Sequence, residues 1–409
     1  MVTRSYWNSL LKYFWRQKPI TWITGVRQSG KTALCQIYPE AEFFDCEMPR
    51  VRRLFADPNE FWGKLKGKKV VLDEIHRLSH PLDVLAASAV YSPPSRIIVT
   101  APVSPPINQH LPDSLKDRIS QVWLTPMMSL DLFDFGNPAL AHRFLRGGLP
   151  PFFLSPQLRE SDYQGWMDSF WAKDVQDLFR IERRDSFQQF MELLFARSGE
   201  LFEAVRYSGP CGVSRTTITK YLAALEATSA ILVIRPYSTR KPVEIVTAPK
   251  TYAFDTGFLC YFRGWHELRE EDYPTLWKHW VLNETCSRFQ ALEVQYWRNK
   301  RGHEVDFVLV TPTLGIVAID CRWKAGNFES GNLQAFRRHY PEGPNWVVCG
   351  DVVQGYVHNF GKMKAEFLNL EEMVKRLSAG EKPDGKEIDT DEHSAAKTQS
   401  KEPIAPELS

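Results

Sequence analysis

Residues 25–32, which read GVRQSGKT, constrain the fold of this chain more than any other stretch. They satisfy the pattern G-x-x-x-x-G-K-[ST], in which a glycine-rich turn points several backbone N–H groups at one anion. The pattern requires a strand before it and a helix after it. ITWIT precedes the segment and ALCQIY follows it, so both are predicted. We therefore expect a phosphate-binding loop here, and the alternative is a glycine-rich turn with an incidental lysine.

The residues of this loop predict a bound nucleotide and Mg²⁺. Lys31 would reach the β- and γ-phosphates, and the Thr32 hydroxyl would bind Mg²⁺. The N-terminus of the following helix would point its dipole at the phosphates. The predicted ATP contacts are Gly25, Val26, Arg27, Gln28, Ser29, Gly30, Lys31, Thr32 and Ala33.

A second motif, VVLDEIH, places two acids after an apolar strand-like run. An acid at the end of a buried strand is costly unless it meets a cation, so we expect Asp73 to hold the Mg²⁺. Glu74 would polarise the attacking water. The run AEFFDCE lies between the two motifs and suggests an extra strand between their strands in the sheet, which favours an ATP hydrolase over a nucleotide kinase or GTPase. An ordinary acidic pair at a strand end is the alternative.

Two further residues are weaker candidates. Thr100 ends the strand-like run RIIVT and could sense the γ-phosphate, although polar residues are common at strand ends. Arg118, in LKDRIS, is a candidate arginine finger or sensor, and the alternative is a surface arginine.

Composition limits the remaining possibilities. A length of 409 residues suggests two or three domains. The net charge of +2 gives no bulk attraction to nucleic acid, although residues 1–39 are basic and contain no acid. The seven cysteines are widely spaced and contain no Cys-x-x-Cys, so neither a disulfide framework nor a zinc site is expected. No membrane span or cleavable signal is evident, and we expect a soluble cytoplasmic protein.

Several phrases together resemble one family. ITGVRQSGKT, VVLDEIH, GGLP at 147–150, PKTYAFDTG at 249–257 and YWRNKRGHEVDFVL at 296–309 follow one another in the order typical of bacterial and archaeal AAA-type ATPases with a C-terminal winged helix and a restriction-endonuclease-like domain. By this resemblance Arg118 aligns with an arginine that follows the sensor strand. The chain departs from the family at Thr100, where TAPV replaces the usual Thr-Gly-Ser-Ser phrase, and at His76, which is often glutamine.

The strand and helix pattern and the resemblance together predict an α/β fold. Its first part would be a P-loop NTPase parallel sheet of the ASCE/AAA type with helices on both faces. A helical winged-helix module and an α/β endonuclease-like domain would follow. The predicted boundaries are 1–145 for the ATPase, 146–240 for the helical linker and winged helix, 241–378 for the endonuclease-like domain and 379–409 for a disordered tail.

The segment GPCGVSRTTITKYLAALE resembles a helix-turn-helix. Ser214 is a plausible N-cap, and an apolar face recurs at Ile218, Tyr221, Leu222 and Leu225. Arg215, Thr216, Thr219 and Lys220 remain on the other face, where a recognition helix meets DNA. A winged helix used only for packing is the alternative.

The β-rich C-terminal block resembles nucleases that bind Mg²⁺ through carboxylates on adjacent strands. Asp306 and Asp320 are the predicted paired acids, with Glu284 as a third. Arg322 holds the position of the usual lysine, and Lys324 is two residues further along. Arginine does not replace lysine in a tight catalytic site, so a fold retained for binding is favoured over cleavage.

The leading hypothesis is therefore an ATP hydrolase whose nucleotide state repositions its C-terminal domains, with ATP and Mg²⁺ as cofactors. DNA, a protein partner or further copies of the chain are the candidate partners, and no membrane is expected. The alternatives are an ATP-dependent nuclease and a non-hydrolysing nucleotide switch or scaffold.

Overall fold

A computed structural model describes residues 2–91, 96–105, 111–238 and 246–380. The helices are α1 Ser5–Gln17, α2 Lys31–Cys35, α3 Pro49–Leu54, α4 Pro58–Lys64, α5 Pro81–Tyr91, α6 Ser129–Asp134, α7 Leu140–Arg146, α8 Pro150–Leu154, α9 Glu160–Phe170, α10 Gln176–Phe179, α11 Arg184–Ala196, α12 Ala204–Ser208, α13 Arg215–Ala227, α14 Thr256–Phe262, α15 Tyr273–Arg288, α16 Gly331–His339 and α17 Leu370–Gly380. The strands are β1 Ile20–Thr24, β2 Glu42–Asp45, β3 Lys69–Asp73, β4 Arg96–Thr100, β5 Ile119–Trp123, β6 Ile231–Ile234, β7 Lys250–Ala253, β8 Gln295–Arg298, β9 Glu304–Thr311, β10 Gly315–Arg322, β11 Asn345–Cys349, β12 Tyr356–Phe360 and β13 Met363–Leu368. Nearly all of the predicted tail, from residue 381 onward, lies outside the described residues.

The first sheet is parallel throughout, with the order β2-β3-β4-β1-β5. Its strands carry apolar side chains on both faces, as strands covered by helices should. Val70 and Leu72 pack in a core with α4 and α5, whereas Val71 packs in a second core with α1 and α2. The predicted parallel α/β sheet with helices on both faces is confirmed.

The strand that separates β1 from β3 is β4, and not β2 as the order of motifs suggested. β2 pairs with β3 at the edge of the sheet. The physical reason lies in the side chains: Glu42 and Phe43 of β2 are exposed, whereas β4 is apolar and buried from Ile97 to Val99. A central position in a parallel sheet requires the second kind of strand.

Helices α8 to α14 form a third core, which we call the aromatic core because about half of its buried side chains are aromatic. α12 and α13 stand beside the antiparallel pair β6–β7. Val26 of the phosphate-binding loop is also part of this core, together with Leu149 and Trp166. The loop is therefore covered by the helical part of the chain.

A six-stranded mixed sheet, with the order β12-β13-β11-β10-β9-β8, forms the C-terminal part. α15 and α17 cover one face of it, and α16 covers the other. Leu132 and Phe144 also pack in the core beneath α15. The boundary at residue 145 stays a prediction, and it falls inside α7. Within the described residues, no helix has the length and apolar character needed to cross a membrane.

Candidate nucleotide site at the carboxyl edge of the first sheet

The loop after β1 turns sharply enough to form an anion cradle. Gly25 and Gly30 have φ angles of 145° and 100°, and Gln28 also has a positive φ of 64°. A Cβ atom at Gly25 would lie 2.4 Å from the carbonyl oxygen of Leu124, so only glycine fits there. The glycine spacing in the sequence therefore reflects real backbone requirements.

Lys31 is buried inside this turn. Its ammonium donates hydrogen bonds to the carbonyl oxygens of Gly25, at 2.7 Å, and Val26, at 3.2 Å. Burial lowers the pKa of Lys31. Among the nearby acids, Glu74 opposes this shift most strongly. The hydroxyl of Ser29 is buried and makes no hydrogen bond within the described chain. The loop therefore holds a desolvated cation and a spare polar group, as a polyphosphate site requires.

The carboxylate of Asp73 joins three elements at the carboxyl edge of the sheet. Thr32 Oγ1 donates to Asp73 Oδ2 at 2.8 Å, and Thr100 Oγ1 donates to Asp73 Oδ1 at 2.6 Å. Burial raises the pKa of Asp73, and the hydrogen bonds from Thr100 and Thr32 oppose that shift. The two residues predicted to hold Mg²⁺, Thr32 and Asp73, are thus in direct contact.

Glu74 follows in the left-handed region, with φ 55°. Its backbone N–H donates to Thr100 Oγ1 at 2.8 Å, and its Oε2 lies 3.2 Å from Nδ1 of His76. Burial raises the pKa of Glu74, whereas Lys31 opposes this shift. Burial also lowers the pKa of His76 to about 3, so its ring is neutral at pH 7. Thr100 therefore orients both acids of the motif.

Arg118 lies at the wrong edge of the sheet to sense this chain's own nucleotide. Its carbonyl oxygen accepts from the N–H of Ile20, at the start of β1, whereas the loop follows the end of β1. A five-residue strand separates the two edges by roughly 16 Å. The sensor role in the same chain is therefore wrong. A role toward a neighbouring copy stays a prediction.

Sequence reasoning missed Arg4, which clamps the loop from outside. This buried guanidinium donates to the carbonyl oxygen of Ser29 at 2.9 Å and to Asp131 at 2.6 and 2.8 Å. The sequence showed only that residues 1–39 are basic and contain no acid. No local pattern could reveal this contact, because Asp131 is 127 residues away in the sequence.

The second predicted group of acids, in the C-terminal sheet, is already occupied by basic side chains. β9 and β10 bring Asp306 and Asp320 next to each other, as predicted, and Asp306 Oδ2 accepts from the N–H of Cys321 at 2.9 Å. Lys278 donates to Asp306 at 2.6 Å, and Arg322 pairs with Asp320. Burial and the neighbouring Asp306 raise the pKa of Asp320 to about 6. Lys278, on α15, was not predicted.

Glu284 does not join that cluster. It is fully buried on α15, where it accepts a hydrogen bond from the backbone N–H of Ser129 and one from Arg288 Nε at 2.9 Å. It therefore caps the start of α6 instead of facing Asp306. Lys324 pairs with Glu270 at 2.8 Å. Within the described ranges, no group of three histidine, cysteine, aspartate or glutamate side chains is arranged to hold a metal ion.

The helix-turn-helix segment has the two faces that its sequence predicts. Ser214 accepts from the N–H of Thr217 at 3.1 Å and caps α13. The apolar positions are buried: Ile218, Tyr221, Leu222 and Leu225. The polar positions are exposed: Arg215, Thr216, Thr219 and Lys220.

Residues 17–132 match a family model described as an AAA domain. Residues 137–269 match another, described as a domain of unknown function, DUF8612. Two uncharacterised proteins, from Mycobacterium tuberculosis and Mycobacterium bovis, are each 28% identical to this chain over 300 residues, which is 70% of the chain and 67% of each relative.

Among solved structures, the Walker-type ATPase of Pyrococcus abyssi aligns with 64% of this chain and 96% of its own, at 15% identity and a TM-score of 0.41. The RuvB Holliday junction branch migration motor of Thermotoga maritima aligns with 56% of this chain and 88% of its own, at 14% identity and a TM-score of 0.29. Residues 17–132 are therefore similar to AAA domains, and the parallel sheet and the glycine-rich loop of this part have the arrangement expected of a P-loop domain.

Proposed function

We propose that this chain binds and hydrolyses ATP with Mg²⁺, and that its nucleotide state repositions the parts that follow the AAA domain. One observation carries the proposal: the hydroxyls of Thr32 and Thr100 both bind the carboxylate of Asp73, beside the loop that holds Lys31. A P-loop threonine hydroxyl and a strand-end aspartate, the latter through water, are the protein groups that hold Mg²⁺ beside the phosphates of a nucleotide.

Each residue has a role in this mechanism. The loop N–H groups would bind the phosphates, and Lys31 would exchange the carbonyl oxygens of Gly25 and Val26 for phosphate oxygens. Bound Mg²⁺ would neutralise charge on the phosphate oxygens. Glu74 would accept hydrogen bonds from the attacking water and polarise it. Thr100 would fix the positions of the Asp73 carboxylate and of the Glu74 backbone through its two hydrogen bonds.

The substitution Glu74→Gln tests hydrolysis separately from binding. We expect ATP binding to persist and phosphate release to fall by about a hundredfold or more, because the amide cannot take up a proton. Glu60→Gln is the matched control, since Glu60 is exposed and pairs with the exposed Lys64. Unchanged phosphate release in Glu74→Gln would remove this residue from the mechanism. Negligible release by the wild type, with tight binding, would instead favour a non-hydrolysing switch.

DNA is the second candidate ligand, and the exposed polar face of α13 supports it. The double substitution Arg215→Glu with Lys220→Glu should abolish salt-dependent association with double-stranded DNA and leave basal ATP turnover unchanged. Lys12→Glu with Arg16→Glu makes the same charge change on exposed positions of α1. Loss of DNA association in that control pair alone would move the contact to the N-terminal basic face.

The alternative of an ATP-dependent nuclease has less support. A metal ion at Asp306 and Asp320 would have to displace the ammonium of Lys278 and the guanidinium of Arg322. We expect no plasmid nicking with Mg²⁺ and ATP. Nicking by the wild type that disappears in Asp306→Ala would establish the alternative.

A further inference from the structure

A third acid faces the phosphate-binding loop from the helical part of the chain. Asp174 lies on a π-helical turn, Trp171–Val175, between α9 and α10. Its side chain is 3% exposed, and Oδ2 makes no hydrogen bond within the described chain. A buried carboxylate oxygen whose ion pair with Arg27 is longer than a hydrogen bond is poorly compensated, and π-helical turns are frequent at functional sites. Neither the nucleotide mechanism nor packing accounts for this residue.

Asp174 lies near three cations, two of which, Arg27 and Lys31, belong to the phosphate-binding loop. Oδ2 lies 3.6 Å from Nη1 of Arg27, within the loop. Burial raises the pKa of Asp174, and Arg27, Lys31 and Arg77 oppose that shift, in this order. Asp174 also appears among the acids that act on Lys31. The negative charge of Asp174 therefore acts on Arg27 and Lys31, which we also predict to contact the phosphates of ATP.

The segment that carries Asp174 covers the phosphate-binding loop and makes polar contacts with residues in and around it. Trp166 Nε1 donates to the carbonyl oxygen of Arg27 at 3.2 Å. Arg77 donates to the carbonyl oxygen of Lys173 at 2.9 Å and pairs with Asp177. Lys173 also pairs with Glu47 at 3.1 Å, and the side chains of Lys173 and Asp177 are 42% and 51% exposed, so these two ion pairs contribute little to stability and are easily exchanged for water. Trp171 and Val175 of the same turn pack in the aromatic core with Val26, so displacement of the turn must also break apolar contacts.

We propose that Asp174 competes with the terminal phosphate of ATP for Arg27 and Lys31, so that ATP must displace the turn Trp171–Val175 from the loop. This inference rests on the proposed function. A carboxylate and a phosphate cannot share two cations in a desolvated site without strong repulsion. ATP binding then separates the helical segment from the AAA domain. ADP, which lacks the γ-phosphate, meets less of this repulsion.

Calorimetric titration of the full chain with ATP and Mg²⁺, and then with ADP and Mg²⁺, tests the proposal. Asp174→Asn keeps the shape of the side chain and removes its charge, so we expect it to bind ATP about tenfold tighter than the wild type, with a smaller gain for ADP. Asp168→Asn, on α9, is the matched control, since Asp168 pairs with Arg184 at 46% exposure. That control should bind within about twofold of the wild type.

Equal or weaker ATP binding by Asp174→Asn, with binding by the wild type intact, would overturn the inference and leave the proposed function standing. No binding by either protein would overturn both. Amide hydrogen exchange of the wild type, measured with and without ATP, tests displacement of the turn without any substitution. ATP should accelerate exchange of the amides in 171–179, whereas unchanged or slower exchange would contradict displacement of the turn.

Discussion

At the scale of single residues, the sequence predicted which side chains meet at the carboxyl edge of the first sheet and missed the residues that surround them. Lys31, Thr32, Asp73 and Glu74 were found because their spacing within short motifs fixes their geometry. Arg4 and Asp174 were not found, because each acts on the loop through contacts between residues far apart in the chain. Arg118 was misplaced, since a motif does not say at which edge of a sheet its residue lies.

Thr100 gives a sharp test at this scale. Thr100→Val would remove both hydrogen bonds that connect Asp73 and the N–H of Glu74, leaving buried polar groups unpaired. We expect the free energy of unfolding to fall by about 1–3 kcal/mol, and ATP turnover to fall with it. Urea denaturation measures the first. Thr21→Val is the matched control, because the buried hydroxyl of Thr21 has no hydrogen-bond partner in the described chain. Equal losses in the two variants would contradict this role for Thr100.

The pH dependence of stability tests a second buried residue, His279. Burial lowers the pKa of His279 from 6.5 to about 4, while its ring nitrogens contact Ser198 and the carbonyl oxygen of Thr275. As the pH falls, His279 is therefore protonated near pH 6.5 in the unfolded chain, but only near pH 4 in the folded chain. The contribution of this neutral ring to stability is present above pH 6.5 and is lost as the pH falls toward 4.

Between pH 7 and pH 5 this loss should amount to about 1–2 kcal/mol in the free energy of unfolding. His279→Gln should flatten the curve, as measured by urea denaturation at several pH values. The exposed His358 provides the control substitution, His358→Gln. A curve that is equally steep in His279→Gln and in the wild type would contradict the assignment.

At the scale of elements, periodicity predicted the buried helices and strands well. The strand-like runs ITWIT, AEFFDCE, VVLD and RIIVT became β1 to β4. The position of β4 between β1 and β3 was not available from sequence order, because parallel strands can be connected in several orders. In the C-terminal part, the sequence predicted that Asp306 and Asp320 lie next to each other on adjacent strands. Lys278 was not, because it belongs to a different element, α15.

Arg4, which immediately precedes α1, allows a test of how this helix is held against the loop. Arg4→Ala would leave the carboxylate of Asp131, which is fully buried, without its cation. We expect a loss of about 3–5 kcal/mol in the free energy of unfolding, and weaker nucleotide binding because the carbonyl oxygen of Ser29 is released. Arg16→Ala, exposed at the other end of the helix, should change stability by less than about 0.5 kcal/mol.

The double substitution Arg4→Met with Asp131→Leu should recover part of the stability lost in Arg4→Ala, because it removes the unpaired charge. If Arg4→Ala and Arg16→Ala cost the same in chemical denaturation, Arg4 does not clamp the loop.

At the scale of the whole molecule, the part that carries the phosphate-binding loop packs against the helical part that follows it. Val26 packs in the aromatic core of the helical part, and Trp166 binds the carbonyl oxygen of Arg27. The phosphate-binding loop is therefore itself a contact between the two parts of the chain. A ligand that rearranges this loop changes their interface, which is why we connect nucleotide state to domain position. The sequence predicted separate units, but it could not reveal that the loop of residues 25–32 packs against the helical part.

Calorimetric titration with ATP and Mg²⁺ tests the central claim most directly. The account predicts a measurable heat of association for the wild type and none for Lys31→Ala, because that loop lacks the cation buried beneath the phosphates. No heat with the wild type, or undiminished affinity in Lys31→Ala, would contradict it.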